Sequence, residues 1–364
     1  MTGELRALTS VRGIAAWFVV LFHIRKWIAG LPEAALAVLA KGYLAVDFFF
    51  LLSGFVIWMS YAERIRSGGL AAIPGFLQRR VARIWPLHLF MLGFAVALAL
   101  ALALTGRASD HFPWHELPLH LLLLQNWGFT SALTWNDPAW SISCELAAYL
   151  LFPLLALAID WRRVPSWAVV AAIAGLLALL HAVFASHGAT ALGQAIPSLG
   201  LIRCILEFAS GTAVAALWLR WRERWRLPAV GALLTAVALF VAWSAGLAET
   251  LAVPPAFAAM LLFLALTSGR NGNPLEAAPL HALGEISYAT YLSHYLLWFA
   301  FKLAFVPDAH AVGWPLIAAF LLLVLASSAA LYHGVERPAQ RWVNRLRLPQ
   351  PRSPPNAAPR SPRG

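Results

Sequence analysis

An arginine and a histidine eleven residues apart, Arg12 and His23, bracket the apolar run RGIAAWFVVLFH. At about 100° per residue, eleven steps return a helix to within roughly 20° of its starting face, and about 1.5 Å of rise per residue puts the two roughly 16 Å apart. A fixed cation and an imidazole then share one stripe of an apolar helix. An imidazole exchanges protons near neutral pH, and ionisable groups at membrane depth are costly enough to mark sites or pathways. The plainer alternative makes Arg12 a topology signal and His23 a partner in a polar helix contact. Both readings stand on this helix alone.

Further polar groups recur inside apolar segments. In KGYLAVDFFFLLSGF, Asp47 and Ser53 fall within a span; a carboxylate there must pair, protonate or face water, as a substrate contact or a structural partner. Arg80 and Arg83, spaced i, i+3 in FLQRRVARIW, share a face. Two guanidinium forks suit the phosphates of a cytoplasmic anion, or anchor the chain on lipid headgroups. In NDPAWSISCELAAYLLFP, Ser141 and Glu145 are i, i+4. Glu145 is placed to orient an imidazole or hold a hydroxyl, or to make an interhelix hydrogen bond. Arg203 and Glu207, also i, i+4 in LIRCILEFASG, are expected to neutralise each other. In GEISYATYLSHYLLW, Ser287, Tyr291 and His294 form a polar stripe suited to sugar or hydroxyl recognition, or to stitching helices.

The elements that carry these groups follow from composition. With 61% hydrophobic and 12% charged residues and a mean hydropathy of +0.71, the chain has about half the charge of a soluble domain. It is expected to be an all-α polytopic membrane bundle of about ten transmembrane helices: 13–30, 42–60, 85–105, 141–160, 165–184, 201–219, 227–245, 250–267, 285–305 and 313–333. With both termini cytoplasmic, 21 of the 27 Lys and Arg residues fall on inside segments, five on outside segments or span ends, and only Arg203 lies deep within a span. That placement accounts for the net charge of +11 without a nucleic acid partner. The basic start and the short core Gly13–Phe22 have the look of a secretory signal. His23, Arg25 and Lys26 interrupt that core, so an uncleaved first span is expected.

Two stretches depart from simple spans. Leu117–Phe129 is too short to cross and carries Gln125 and Asn126, which suits a re-entrant or interfacial piece. Ile73–Trp85 has the pattern of a basic amphipathic surface helix. Cys144 and Cys204 offer neither a disulfide framework nor metal-ligand spacing, and no metal is expected.

Taken together, the chain resembles the acyltransferase 3 family of bacterial membrane O-acyltransferases. The stretches that carry the resemblance are RGIAAWFVVLFH, VDFFFLLSGF, RRVARIWPLH, WSISCELAAYLLFP, RCILEFASG, EISYATYLSH and VERP of Val335–Pro338, in family order from residue 11 to about 340. The resemblance implies an inner-membrane, multi-pass enzyme that moves an acyl group, usually acetyl, from cytoplasmic acyl-CoA to a hydroxyl, commonly of a carbohydrate or glycolipid. No tightly bound cofactor is implied; acyl-CoA is the donor substrate. His23 with Arg12, and Arg80 with Arg83, are implied to be functional, and Glu145 matches the family's Trp-Ser-x-x-x-Glu pattern. Catalytic roles are thus expected for His23, Arg12 and Glu145, and substrate contacts for Arg80, Arg83, Asp47, Ser141, Tyr291 and His294. His23 would be a general base or an acyl carrier. Residues 1–346 are expected to form one membrane acyltransferase domain, and the Pro- and Arg-rich 347–364 a disordered cytoplasmic tail. The competing reading is a transporter or flippase for a lipid-linked or small polar solute.

Overall fold

The computed structural model describes residues 4–107, 109–306 and 311–346; the expected tail, 347–364, lies outside the described residues. Among the described residues fourteen α-helices follow one another. The first five are α1 (Arg6–Ile24), α2 (Glu33–Leu39), α3 (Ala45–Gly68), α4 (Ile73–Leu104) and α5 (Leu117–Leu122). Then come α6 (Ala139–Ala158), α7 (Ser166–Ser186), α8 (Ile196–Trp221), α9 (Arg226–Ser244) and α10 (Glu249–Thr267). The last four are α11 (Ala278–Glu285), α12 (Ser287–Phe305), α13 (Trp314–Leu331) and α14 (Arg337–Arg345), with a π-turn over Tyr332–Glu336 before α14. Among the described residues the one β pairing is an isolated bridge, Ile28 with Val312.

Among the described residues eight stretches are long and apolar enough to cross a membrane by length and composition. One of them, Glu33–Leu104, contains both long helices α3 and α4. Helix α12, with Ser287, Tyr288, Tyr291, Ser293, His294 and Tyr295 on it, is not among the eight. Each of the ten expected segments has a helix over it. Proline stands in the first turn of α4, α5, α8, α11, α13 and α14, where its missing N–H costs no hydrogen bond and its φ is already helical.

The expected surface helix at Ile73–Trp85 is not a separate element. It is the first part of the 32-residue α4, with Pro86 inside the helix. At about 48 Å, α4 is longer than the roughly 30 Å hydrocarbon layer, so its arginine-bearing end has length to spare. After α5, Leu123 turns left-handed (φ 56°), and the chain runs back through protein without helix. The Asn126 amide bonds to Cys144 Sγ and to Ile196 O, each at 3.1 Å, and its backbone N–H to Ser143 Oγ at 3.2 Å. Buried non-helical backbone satisfied by side chains is what membrane depth demands.

Small residues set the close approach of α3 and α8. A Cβ on Gly54 of α3 would collide with Phe208 O of α8, and one on Gly211 of α8 with Leu51 O of α3. With backbones this close, Arg203 of α8 reaches Asp47 of α3.

Candidate active site

Helix α1 places its two polar groups at opposite ends of one face. Near its start Arg12 Nη2 donates to Gly284 O of α11 at 3.0 Å, and its Nε is buried without a partner. Gly13 is the reason α11 comes so near, since a Cβ there would lie 2.7 Å from Gly284 N. Arg12 lines a cavity of about 160 Å³ with Arg80, Arg83, Ser53, Ser141, Glu145, Tyr149, Ser287, Tyr288 and Tyr291. A second hollow of about 300 Å³, lined by Glu4, Thr9 and Trp218 among others, shares Arg12, Leu52 and Val56 with the first. The inner cavity is smaller than the roughly 300–1,000 Å³ of a whole-ligand pocket. It fits the end of a thin arm and not a nucleotide.

The arginines are held differently. Arg80 donates to Tyr61 Oη at 3.1 Å, lies over the Tyr61 ring, and keeps an unpartnered buried Nε. Arg83 is paired with Glu336, a buried carboxylate on the π-turn, and sits 5.2 Å over the Tyr288 ring. Its charge is already answered within the protein. Across the cavity Ser53 donates to Glu145, and Tyr291 Oη is 2.8 Å from Ser141 Oγ and 3.1 Å from Pro138 O.

His23 lies near the other end of α1 and does not line the cavity. Tyr291 is the wall between them: its ring is 6.2 Å from that of His294, and the His294 ring is 4.9 Å from that of His23. His294 Nδ1 is 3.1 Å from Thr290 O and its Nε2 is 3.0 Å from His23 Nδ1, which is itself 3.0 Å from Val19 O. Carbonyls only accept. His294 therefore carries its proton on Nδ1 and offers Nε2 as an acceptor, and His23 carries its proton on Nδ1. The lone pair of His23 is left on Nε2. Beyond His23, the Tyr295 ring stands edge-on at 5.5 Å, and His111 and Asp137 follow from the loops before α5 and α6. Burial pushes the Asp137 carboxyl above its ordinary value, opposed by the nearby His111.

Asp47 stands apart from both features. Arg203 donates to its two oxygens at 2.6 Å each and to Leu192 O at 2.9 Å, all fully buried. The expected pairing of Arg203 with Glu207 is corrected: the guanidinium turns to the carboxylate of a neighbouring helix, and both Glu207 oxygens are buried without a hydrogen-bond partner.

The model of the family described as an acyltransferase domain, acyltransferase 3, matches residues 5–333. The chain belongs to the acyltransferase 3 family. A similar protein is the acyltransferase MdmB of Streptomyces mycarofaciens, 33% identical over 94% of each chain. Protein 2 in the picA locus of Rhizobium radiobacter is 33% identical over 40% of this chain and 78% of its own. No solved structure matches. Membership covers α1 to α13 and the start of the π-turn, and so contains Arg12, His23, the cavity and the His23–His294 contact. Tyr149, Tyr288 and Glu336 also belong to the site, and the sequence reading did not single them out. Tyr149 carried a signal, four residues beyond Glu145 as Glu145 is beyond Ser141. Glu336 stands within the VERP stretch, but nothing there ties it to Arg83, 253 residues away.

Proposed function

We propose that this acyltransferase is a multi-pass inner-membrane O-acyltransferase with ten spans and both termini cytoplasmic. It moves an acyl group, acetyl in the simplest case, from cytoplasmic acyl-CoA to a hydroxyl of a carbohydrate or glycolipid. One observation carries the reading: α1 joins an arginine-lined cavity at one end to a histidine with a free Nε2 lone pair at the other.

Arg12 and Arg80, with unpartnered guanidinium nitrogens, face the phosphates of the donor, and charge-assisted bonds to phosphate are strong where water is scarce. Arg83 keeps its place through Glu336 and adds donors without adding net charge. The pantetheine arm lies in the cavity with its thioester towards Tyr291, whose side chain turns aside to admit it. Glu145, bonded to Ser53 and facing the same cavity, holds polar groups of that arm, as do Ser141 and Tyr291.

His23 Nε2 takes the proton of the acceptor hydroxyl while its oxygen bonds to the thioester carbonyl carbon. The carbon–sulfur bond then breaks, the sulfur leaves with the electron pair, and His23 returns the proton to give free CoA and an ester. In the covalent variant the same lone pair first takes the acyl group and expels the thiolate, and the acceptor oxygen then displaces the imidazole.

The test is CoA release by purified protein in detergent, with acetyl-CoA and a hydroxylated acceptor. An enzyme turns over without a closed vesicle. A transporter, which needs two compartments, releases no CoA, and that result would overturn the proposal.

A further inference from the structure

We infer that the niche formed by Tyr295, Asp137 and His111 beside His23 is the acceptor subsite, built for a pyranoside that offers neighbouring hydroxyls. The inference rests on the acyl-transfer reading and adds where, and by what, the second substrate is held.

The niche is at the end of α1 away from the arginines. His111 follows α4 at its end remote from Arg80, and Asp137 precedes α6 at its end remote from the π-turn. His23 and Tyr295 are half-buried, and the His111 and Asp137 side chains are 22% and 23% exposed. His294 on the other side is fully buried. His23 thus stands between a fully buried neighbour, His294, and partly exposed ones. A donor in the arginine cavity and an acceptor here reach the imidazole from different directions, as a transfer between two substrates requires.

The polar atoms are joined to one another only loosely. His111 Nε2 and Asp137 Oδ1 face each other at 3.4 Å, an ion pair when the imidazole is protonated, and neither makes a well-aligned hydrogen bond. A buried polar atom without a partner is costly, and a hydroxyl bound there supplies both a donor and an acceptor. The rings suit a sugar as well: His111 stacks on Phe299 (interplanar angle 11°) and lies 5.8 Å from the Tyr295 ring, presenting flat apolar surface beside the polar atoms.

The three walls are fastened together, so the niche is a built feature. Trp135 N–H donates to His111 O at 2.9 Å, and Asn136 Nδ2 donates to Leu292 O of α12 at 2.9 Å. Loop, loop and helix hold one arrangement.

The experiment compares full-length wild type with Asp137→Asn and His111→Phe in detergent, with acetyl-CoA and a panel of alkyl hexosides as probes. Hydrolysis of acetyl-CoA without hexoside measures the donor side alone. We expect hexoside KM to rise about tenfold or more in both variants, as loss of a hydrogen bond to a substrate hydroxyl would, with hydrolysis within about twofold of wild type. His111→Phe keeps the ring stacking, and Tyr295→Phe asks the same question should Asp137→Asn fail to fold. Unchanged hexoside KM in folded variants overturns the subsite. Wild-type hydrolysis with transfer to none of the hexosides overturns the carbohydrate class. No CoA release under any condition overturns the acyl-transfer reading beneath it.

Discussion

His294 Nε2 lies 3.0 Å from His23 Nδ1, and the carbonyls of Thr290 at His294 Nδ1 and of Val19 at His23 Nδ1 allow one neutral arrangement of protons. Its consequence is that His294 acts through His23, by fixing which nitrogen carries the lone pair and by accepting from Nδ1–H when His23 takes on a proton. His294→Gln, whose carbonyl oxygen can occupy the Nε2 position, should keep a large part of kcat. His294→Leu should lose about 10²-fold in kcat with acetyl-CoA KM unchanged. Selective ¹⁵N labelling of histidine should show His23 Nε2 unprotonated in wild type. Equal losses in the Gln and Leu variants would make the contact a packing feature.

The two arginines of α4 should behave differently although they are one turn apart. Arg80→Gln should raise acetyl-CoA KM by about tenfold and lower its dependence on salt. Arg83→Gln strands buried Glu336 and should cost stability, by about 3–5 kcal/mol if the carboxylate stays charged. Arg83→Gln with Glu336→Gln should recover most of that stability. Steady-state kinetics beside thermal unfolding of the three proteins separates the roles.

Asp47 and Arg203 form a buried pair that holds α3 against α8. Asp47→Ala should destabilise by about 3–5 kcal/mol because it leaves a buried guanidinium unpaired, whereas Asp47→Leu with Arg203→Met should lose much less. Thermal unfolding in detergent checks this, with acetyl-CoA KM as the control: a role confined to structure leaves KM unchanged in any variant that folds.

Asp160, in the turn after α6, gives a pH signature. Hydrogen bonds from Arg162 bring its carboxyl down to about 2 from an ordinary 3.8, with Arg66 adding to the effect. A lowered folded-state value means that the stability it contributes is complete above about 3.8 and is lost as pH falls through about 2. Wild type and Asp160→Asn should therefore differ in unfolding temperature at pH 5 and converge near pH 2. The exposure of Arg162 should make the difference small and sensitive to salt.

Groups within one helix were legible in the sequence, and groups meeting across helices were not. The Arg12–His23 spacing reports directly on a shared face, because a helix fixes both angle and rise. Arg203 and Glu207 obeyed the same rule, yet the rule misled: it names neighbours along one helix and is silent about α3, which brings Asp47 within 2.6 Å. His294 was found as part of a polar stripe and His23 on α1, while their contact across 271 residues was not. The basic amphipathic pattern of Ile73–Trp85 read as a surface helix of its own, and it stops just before Pro86. In α4 the helix continues through it, as membrane helices with neighbouring support allow. The apolar run lengths were sufficient to place a helix over each expected segment, but not to reveal that Tyr291 separates the arginine cavity from the histidines.

The most direct measurement is acyl transfer by His23→Ala, purified, shown to be folded by gel filtration and thermal unfolding, and supplied with saturating acetyl-CoA and acceptor. CoA release and ester formation should fall by about 10²-fold or more, with acetyl-CoA KM near the wild-type value because the arginine cavity is intact. Turnover at the wild-type rate in a folded His23→Ala protein would contradict this expectation.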